Sequence, residues 1–434
     1  MIHEPLLNMP LGTKIGEWSV ESLPDHLFFQ EGPGLREWQW SETGMKVING
    51  RNILPDGTIN TSNTERFISM DEFNKRYSHF AIETGDIVLT SSGTIGKVSR
   101  IKQEHLPLMM NTSVIRFHPK PTAKVDPSFL YQFFRSRLFL DQAESFAVGS
   151  AQQNFGPAHL RQMRILLPPL AVQRKIAAVL STYDDLIGNN TRRIQIVEEM
   201  AQALYREWFV HFRFPGHEQS KMKAATMGPI PEGWTATTVG VVSTFVGRGI
   251  SPSYDETAEG LVINQKCIRD GRLNLALARK QSKPFSPDRL VRFGDVLINS
   301  TGIGTLGRVA QVYQDVGHCT VDSHVTIARP GSDVNVDYFG FQLLGMQAHF
   351  DSLGVGSTGQ TELARERVAA SPFLLPPLPR QDEFGEAVQD MRKIAILCER
   401  RNQNLRQTRD LLLPKLISGE VAVDDLDIQT GELT

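Results

Sequence analysis

An internal repeat constrains the fold of this 434-residue chain more than any other feature of its sequence. Four segments of the first half return in the same order in the second half: KVING (Lys46 to Gly50) as LVINQ (Leu261 to Gln265), GDIVLTSSG (Gly85 to Gly93) as GDVLINSTG (Gly294 to Gly302), GSAQQ (Gly149 to Gln153) as GSTGQ (Gly356 to Gln360), and LLPPL (Leu166 to Leu170) as LLPPL (Leu374 to Leu378). Self-similarity of this kind indicates two copies of one supersecondary plan.

Each copy changes character at its LLPPL segment. Before that segment, short runs rich in β-branched residues alternate with Gly, Asn-Gly and Asp-Gly turns, which predicts a β-rich globular domain. After it, apolar residues follow a three-four spacing, from Val172 to Trp208 in the first copy and from Phe384 to Leu412 in the second. This spacing is typical of a coiled-coil helix, and about 40 residues would make each helix on the order of 60 Å long.

Neither apolar seam can be buried by its own helix, so we expect the two helices to pair. The prediction is an α+β fold in which two similar mixed β-rich domains are joined by two long antiparallel coiled-coil helices, with a pseudo-two-fold relation that comes from the repeat. Asn190 and Asn402 are expected to face each other within the seam. The alternative is that each helix packs separately on its own globular domain.

The domain boundaries follow from these patterns. FPG (Phe214 to Gly216) is expected to stop the first helix, since Pro cannot continue a helix and Gly permits the turn. The predicted segments are a first globular domain at 1–168, a first helix at 169–215, a second globular domain at 216–376, a second helix at 377–420 and an acidic tail at 421–434.

Composition and charge narrow the classes of function. The formal net charge is −2, so a DNA-binding surface would have to be a local basic patch. No apolar run reaches the roughly 18 residues of a membrane span, and the first residues do not resemble a signal peptide. The three cysteines are too widely spaced for a disulfide framework or a zinc cluster. We therefore expect a cytoplasmic protein with reduced thiols and no membrane partner.

Motifs for catalysis are missing from the sequence. TSSGTIGKVS (Thr90 to Ser99) has Ser91 and Val98 where a phosphate-binding loop needs Gly and a hydroxyl, and its second copy replaces Lys97 by Arg308. Both Pro-Pro pairs are flanked by leucines, so they lack the residues with which an adenine methyltransferase holds an extruded base. His324 stands without a nucleophile elbow and is expected to be structural. We expect no catalytic centre, metal site or cofactor in this chain.

Polar loops recur at matching places in both copies, and they suit the reading of DNA. Arg and Lys match the paired acceptors of guanine and Asn and Gln match adenine, while Ser, Thr, Lys and Arg can hold phosphates. The candidate DNA contacts are Asn49, Arg51, Asn52, Ser91, Ser92, Thr94, Lys97, Gln152, Gln153 and Asn154 in the first copy, and Arg248, Asn264, Gln265, Lys266, Arg269, Ser300, Thr301, Thr305, Arg308, Gln360 and Thr361 in the second. For each of them the alternative is a solvated turn.

Four phrases of the sequence carry a resemblance to a known family. ALYREWFVHFRFPG (Ala203 to Gly216), RGISPSYDE (Arg248 to Glu256), VINQKCIRDG (Val262 to Gly271) and LLLPKLISGEV (Leu411 to Val421) resemble the DNA specificity subunit of type I restriction-modification systems. The similarity extends over essentially the whole chain. It implies that the globular domains are target recognition domains, each reading one part of a split, asymmetric double-stranded DNA site, and that the helices act as a ruler between them.

The resemblance also implies partners. Two modification subunits would dock along the helices and methylate adenine with S-adenosylmethionine, and two restriction subunits with ATP- and Mg-dependent motor and nuclease activity can join them. Trp208, Phe209, Leu412 and Leu416, near the ends of the helices, are the expected partner contacts. Two alternatives stay open: a stand-alone DNA-modifying enzyme with an unrecognised site, and a coiled-coil scaffold protein without sequence-specific DNA binding.

Overall fold

The computed structural model describes residues 5–62, 64, 66–147, 155–356 and 361–428. The chain divides into two compact units: unit 1 comprises Met1–Thr191 and Arg400–Thr434, and unit 2 comprises Arg192–Glu399. Both divisions fall inside a long helix and not at the end of a globular domain. Each unit therefore contains one globular part together with a portion of both helices.

The described residues of unit 1 form three small sheets. Its antiparallel four-stranded sheet has the order Leu27–Glu31, Val114–Pro119, Ile87–Thr90, Val98–Arg100. Its second sheet has the order Phe67–Ile68, Met45–Ile48, Met109–Met110. The central strand is antiparallel to the first of these and parallel to the last. Its third sheet is antiparallel, with the order Lys14–Ile15, Trp18–Ser22, Arg164–Leu167.

Unit 2 repeats this arrangement. Its four-stranded sheet has the order Ser243–Arg248, Val325–Pro330, Val296–Asn299, Val309–Gln311. Its mixed sheet has the order Arg279–Lys280, Leu261–Ile263, Cys319–Val321, again with the last pair parallel. Its remaining strand pairs are Thr235–Thr238 with Pro372–Leu375, Met222–Lys223 with Ile230–Pro231, and Ile268–Arg269 with Arg272–Leu273. The common strand orders confirm the predicted α+β fold built from two copies of one plan.

Short helices cover the sheets of both units. They are Leu23–His26, Met70–Glu72, Pro127–Arg135, Arg137–Ala147 and Pro157–Leu160 in unit 1, and Val336–Leu344, Gln347–Ser352 and Arg365–Ala370 in unit 2. One cap recurs: Asp126 Oδ1 accepts hydrogen bonds from the backbone N–H groups of Ser128 and Phe129. Asn335 caps the matching helix of unit 2 in the same way, which satisfies N–H groups that a helix start leaves unpaired.

The two long helices run from Leu170–Tyr205 and Leu378–Ile417. In unit 1 they pack antiparallel, because Asn190 Nδ2 donates to Asn402 Oδ1 over 3.0 Å while Arg409, further along the second helix, bonds Asp184, earlier on the first. Both asparagines are buried. The pairing of the seams and the contact between Asn190 and Asn402 are therefore confirmed.

In unit 2 the helices meet through aromatic rings, with Phe384 of the second helix packed edge-on against Phe209 after the first. The first helix ends earlier than FPG predicts. A π-helical turn, Arg206–Val210, follows Tyr205, and Phe212 then takes a positive φ of 58°. Its ring packs edge-on against Trp234, and the helical turns thus end before Pro215 is reached.

Two further observations concern the described residues. Cys267, Cys319 and Cys398 are buried free thiols, as expected, and burial raises the pKa of Cys319 to about 12. A thiol with so high a pKa stays protonated and unreactive near neutral pH.

Within the same described ranges, no helix is both long and apolar enough to cross a membrane.

Candidate nucleic-acid interface

Three loops of unit 1 meet where buried strands end, and we call them the unit 1 loop cluster: residues 49–52, 91–97 and 111–113. Hydrogen bonds join all three. Lys97 Nζ donates to the carbonyl of Gly50 over 3.0 Å, and the N–H of Gly50 donates to Ser113 Oγ over 2.9 Å. The N–H of Ser91 donates to the carbonyl of Ser113 over 2.9 Å. The fold thus brings together loops that are far apart in sequence.

Unit 2 builds the same cluster from residues 264–266, 300–308 and 322–324, the unit 2 loop cluster. Gln265 Nε2 donates to the carbonyl of Thr301 over 2.8 Å, and Thr301 Oγ1 lies 2.8 Å from His324 Nδ1. The N–H of Ser300 donates to the carbonyl of His324 over 2.8 Å, as Ser91 does to Ser113. Equivalent backbone contacts therefore hold different side chains in the two units.

Glycine explains why the second loop resembles a phosphate-binding loop in sequence. Gly96 has φ 86°, and a Cβ there would lie 2.4 Å from Leu140 Cδ2. Gly307 has φ 75°, and a Cβ there would lie 2.6 Å from the backbone nitrogen of Asp351. Both positions press the loop backbone against a helix, in a conformation that only Gly adopts readily. The glycine before Lys97 and Arg308 thus serves the packing of the loop.

Arg51 and Lys266 occupy equivalent exposed positions. Asn49 Oδ1 accepts a hydrogen bond from the N–H of Arg51 over 2.8 Å, and Asn264 Oδ1 does the same for Lys266 over 2.9 Å. Neither cationic group has a hydrogen bond or ion pair to another residue in the described ranges. An exposed cation on a fixed turn is suited to a phosphate or a guanine edge.

Comparison with known proteins finds similar sequences of one kind. A family model described as the type I restriction modification DNA specificity domain matches residues 40–199. The specificity subunit of the type I restriction enzyme MjaIX, from Methanocaldococcus jannaschii, is 26% identical over 351 residues, which are 79% of each chain. The putative MjaX specificity subunit of the same organism is 22% identical over 95% of this chain and 96% of its own. The chain is thus similar in sequence to type I specificity subunits over most of its length.

A solved structure agrees on the fold. The type I restriction-modification S subunit from M. genitalium superposes with a TM-score of 0.54 at 15% identity, covering 94% of this chain and 99% of the other. At that identity the likeness supports the arrangement of strands and helices alone.

Three predicted DNA contacts are corrected, because their side chains are buried within the loop clusters. Asn52 is 4% exposed, and its amide donates to the carbonyl of Asn60 and to Thr64 Oγ1. Ser91 Oγ donates to the carbonyl of Thr112, and Ser300 Oγ pairs with Thr326 Oγ1. These groups already have partners and almost no access to solvent, so they support the loops from within.

Other predicted residues are held by intramolecular contacts. The guanidinium group of Arg248 bonds the Glu362 carboxylate and the carbonyl of Leu363, so we correct it from a DNA contact to a structural tie. Gln265 is likewise engaged with Thr301. Arg269 lies 3.4 Å from Asp270 with most of its side chain exposed. Arg308 donates to the carbonyl of Gly304 over 2.8 Å and keeps its other N–H groups for a ligand.

The remaining predicted residues divide into two groups. Ser92, Thr94, Thr301, Thr305 and Thr361 are half-buried or exposed around the two clusters. Gln152, Gln153, Asn154 and Gln360 lie outside the described residues. Their prediction as DNA contacts stays a prediction.

Sequence reasoning missed the third loop of each cluster. Thr112 and His324 are exposed there, and Ser323 is half-buried. A signal is present in the sequence, since NTS (Asn111 to Ser113) and DSH (Asp322 to His324) precede matching strands in the two copies. Burial raises the pKa of the neighbouring Asp322 carboxyl, although hydrogen bonding and the charge of His324 oppose this.

Two of the four predicted partner contacts are also corrected. Phe209 is 3% exposed and packs against Tyr338 and Phe384, and Leu416 is 2% exposed in the core of unit 1. Neither can contact another subunit without unfolding its surroundings. Trp208 and Leu412 are half-buried and remain candidates.

Proposed function

We propose that this chain is a type I specificity subunit that binds a bipartite, asymmetric double-stranded DNA site, with one loop cluster reading each part. The observation that carries the proposal is the duplicated cluster of three loops, in which one backbone framework presents different side chains. Arg51 faces solvent in unit 1 where Lys266 does in unit 2, and Thr112 and Ser113 correspond to Ser323 and His324. Because the two sets of side chains differ, the two parts of the site should differ in sequence.

The proposed role of the chain is to direct other subunits to this site. Modification subunits would bring S-adenosylmethionine and methylate adenine, while restriction subunits would bring the ATP- and Mg-dependent activities, so this chain has no catalytic centre of its own. Trp208 and Leu412 are its proposed partner contacts. The complex would act on DNA in the cytoplasm. That helix length sets the gap between the two parts of the site remains a prediction.

The test is to co-express the chain with its modification subunit in a host without such a system, and to map methylated adenines across the host genome. We expect a split motif with two fixed parts and a fixed gap. A matched strain that carries the modification subunit alone should show no such motif.

Three other outcomes would each overturn the proposal. The same motif in the strain without this chain would remove its role in specificity. Methyl transfer by the purified chain alone would make it an enzyme. DNA binding that lacks both sequence preference and a steep salt dependence would favour a scaffold.

A further inference from the structure

The tip of one loop in the unit 2 cluster carries an exposed apolar side chain. Ile303 is 82% exposed, and among the described residues no large apolar side chain is more exposed. It lies between Gly302 and Gly304, whose φ angles are 105° and 69°. Single exposed apolar residues are common on protein surfaces, so exposure alone would decide nothing.

The loop around Ile303 is fixed by hydrogen bonds on both sides. The carbonyl of Gly302 accepts from the N–H groups of Thr305 and Leu306 over 3.2 and 3.0 Å. The carbonyl of Gly304 accepts from Arg308. Leu306 is buried in the core of unit 2 and anchors the loop from below. The isoleucine side chain is therefore held outward on a fixed support, which reduces the entropy lost on binding.

Ile303 belongs to the same surface as the polar residues of the unit 2 loop cluster. A Cβ at Gly302 would lie 3.1 Å from Gln265 Nε2, so the tip is in contact with the first loop. Thr301, two residues before Ile303, bonds both Gln265 and His324. An apolar group is thus presented among donors and acceptors.

The matching loop of unit 1 has no such group. It takes four residues from Gly93 to Gly96, against six from Gly302 to Gly307. The exposed side chain there is Thr94, while Ile95 packs against the core. The apolar tip is therefore a difference between two otherwise equivalent surfaces, where a difference in base preference is expected.

We infer that Ile303 contacts the C5-methyl group of a thymine in the half-site read by unit 2, an inference that rests on the proposed function. Base edges in the major groove present donors and acceptors, and the thymine methyl is the apolar group among them. A short, branched aliphatic side chain on a fixed tip can cover that methyl while neighbouring polar residues bond the base edges. Ile303 is in this sense a specificity-determining residue.

The experiment uses the full-length chain in complex with its modification subunits and duplexes that contain the mapped site. Each thymine of the unit 2 half-site is replaced in turn by deoxyuridine, which removes the C5 methyl and leaves the pairing edge unchanged. Dissociation constants are measured for the wild type, Ile303→Ala, Ile303→Val and the control Val241→Ala. Val241 is 76% exposed and precedes the strand whose far end carries Arg248, so it tests loss of an exposed aliphatic group elsewhere in unit 2.

At one thymine, we expect the exchange for deoxyuridine to weaken wild-type binding about fourfold, the value of one buried methyl group. Ile303→Ala should bind the thymine duplex more weakly and should no longer respond to that exchange. Ile303→Val should keep most of the response, and Val241→Ala should behave as the wild type does.

Several results would overturn the inference: a half-site without thymine, no methyl-dependent position, or a methyl response that persists in Ile303→Ala. Weaker binding by Ile303→Ala with no methyl response, together with loss of a 2-aminopurine unstacking signal, would indicate insertion between bases instead. Wild-type affinity is also compared between the mapped site and a scrambled duplex. If the proposed function is wrong, the two affinities will be about equal; if only the inference about Ile303 is wrong, the mapped site will still be bound more tightly.

Discussion

At the scale of single residues, Arg308 offers the clearest test of a phosphate contact. One of its N–H groups donates to the carbonyl of Gly304, and its side chain is partly exposed on the unit 2 loop cluster. Loss of one phosphate contact lowers the magnitude of the salt slope by about 0.9. We therefore expect Arg308→Ala to weaken binding to site and non-site DNA alike, and to flatten the dependence of affinity on salt by that amount.

The measurement is fluorescence anisotropy between about 50 and 200 mM salt, a range over which phosphate contacts change affinity strongly. Arg308→Lys keeps the charge and should keep the slope. Lys223→Ala removes the same charge from an exposed strand of unit 2 outside its loop cluster and should change neither quantity. A loss confined to the specific site would contradict the assignment and make Arg308 a base-reading residue.

The limits of sequence reasoning are visible at the same scale. The loops containing Arg51 and Lys266 were found from the repeat, because both copies place polar residues after a β-rich run. Asn52 and Ser91 were assigned to the same surface, yet they turn inward. Which polar side chain of a loop is buried depends on its hydrogen-bond partner. Asn52 bonds Asn60 and Ser91 bonds Thr112, and residue types alone do not predict these pairings.

At the scale of elements, the pair formed by Asn190 and Asn402 specifies how the long helices pack in unit 1. Asn402 Nδ2 also reaches the carbonyl of Ile187 and Thr191 Oγ1, so its amide satisfies several buried groups. Asn402→Ala would leave the Asn190 amide without its partner, which costs about 1–3 kcal/mol. We expect a lower urea midpoint for this variant.

The control is Asn404→Ala, an exposed position on the same helix, which should change stability by less than about 0.5 kcal/mol. Replacing both seam asparagines by Leu should restore most of the stability, because no buried polar group is then left unpaired. If the Asn402 and Asn404 variants unfolded at the same urea concentration, the buried pair would contribute nothing to the seam.

Asp184, on the first long helix, makes the stability of the paired helices in unit 1 depend on pH. Burial raises the pKa of its carboxyl, but the charge of Arg135 and hydrogen bonds from Gln132 and Arg409 outweigh burial and lower it below the usual 3.8. Because its pKa is lowered on folding, Asp184 contributes its full stabilisation when the pH is above the pKa of the carboxyl in the unfolded chain. This contribution is lost as the pH falls through the lower pKa that the carboxyl has in the folded protein.

At pH 7 we expect Asp184→Asn to have a free energy of unfolding about 1–3 kcal/mol below that of the wild type, because two arginines lose their carboxylate partner. The variant should therefore unfold at a lower urea concentration. The difference should shrink below about pH 4, as the wild-type carboxyl takes up a proton. Asp185→Asn removes the same charge at the exposed neighbouring position and should show no such pH-dependent difference. A difference that grew on acidification would mean that the folded pKa is raised.

At the scale of the whole molecule, the repeat allowed the sequence to predict two copies of one plan, including the change from strands to helix at each LLPPL segment. The division into units was not predictable in the same way. A helix of 36 residues and one of 40 read as continuous elements, but their contacts belong to two different cores. A local apolar spacing shows that a seam is buried, and it does not show which partner buries each part of the seam.

Two compact units, each with its own loop cluster, predict that the parts of the DNA site are read independently. Arg51→Ala should relax base preference in one part of the mapped motif and Lys266→Ala in the other, each by about 1–3 kcal/mol. The two residues share no partner in the described structure, so the double variant should lose the sum of the two effects within about 0.5 kcal/mol. Binding measured on libraries randomised in one part at a time gives both quantities. If either single substitution relaxed both parts, or if the double variant departed strongly from the sum, the two clusters could not act as independent readers.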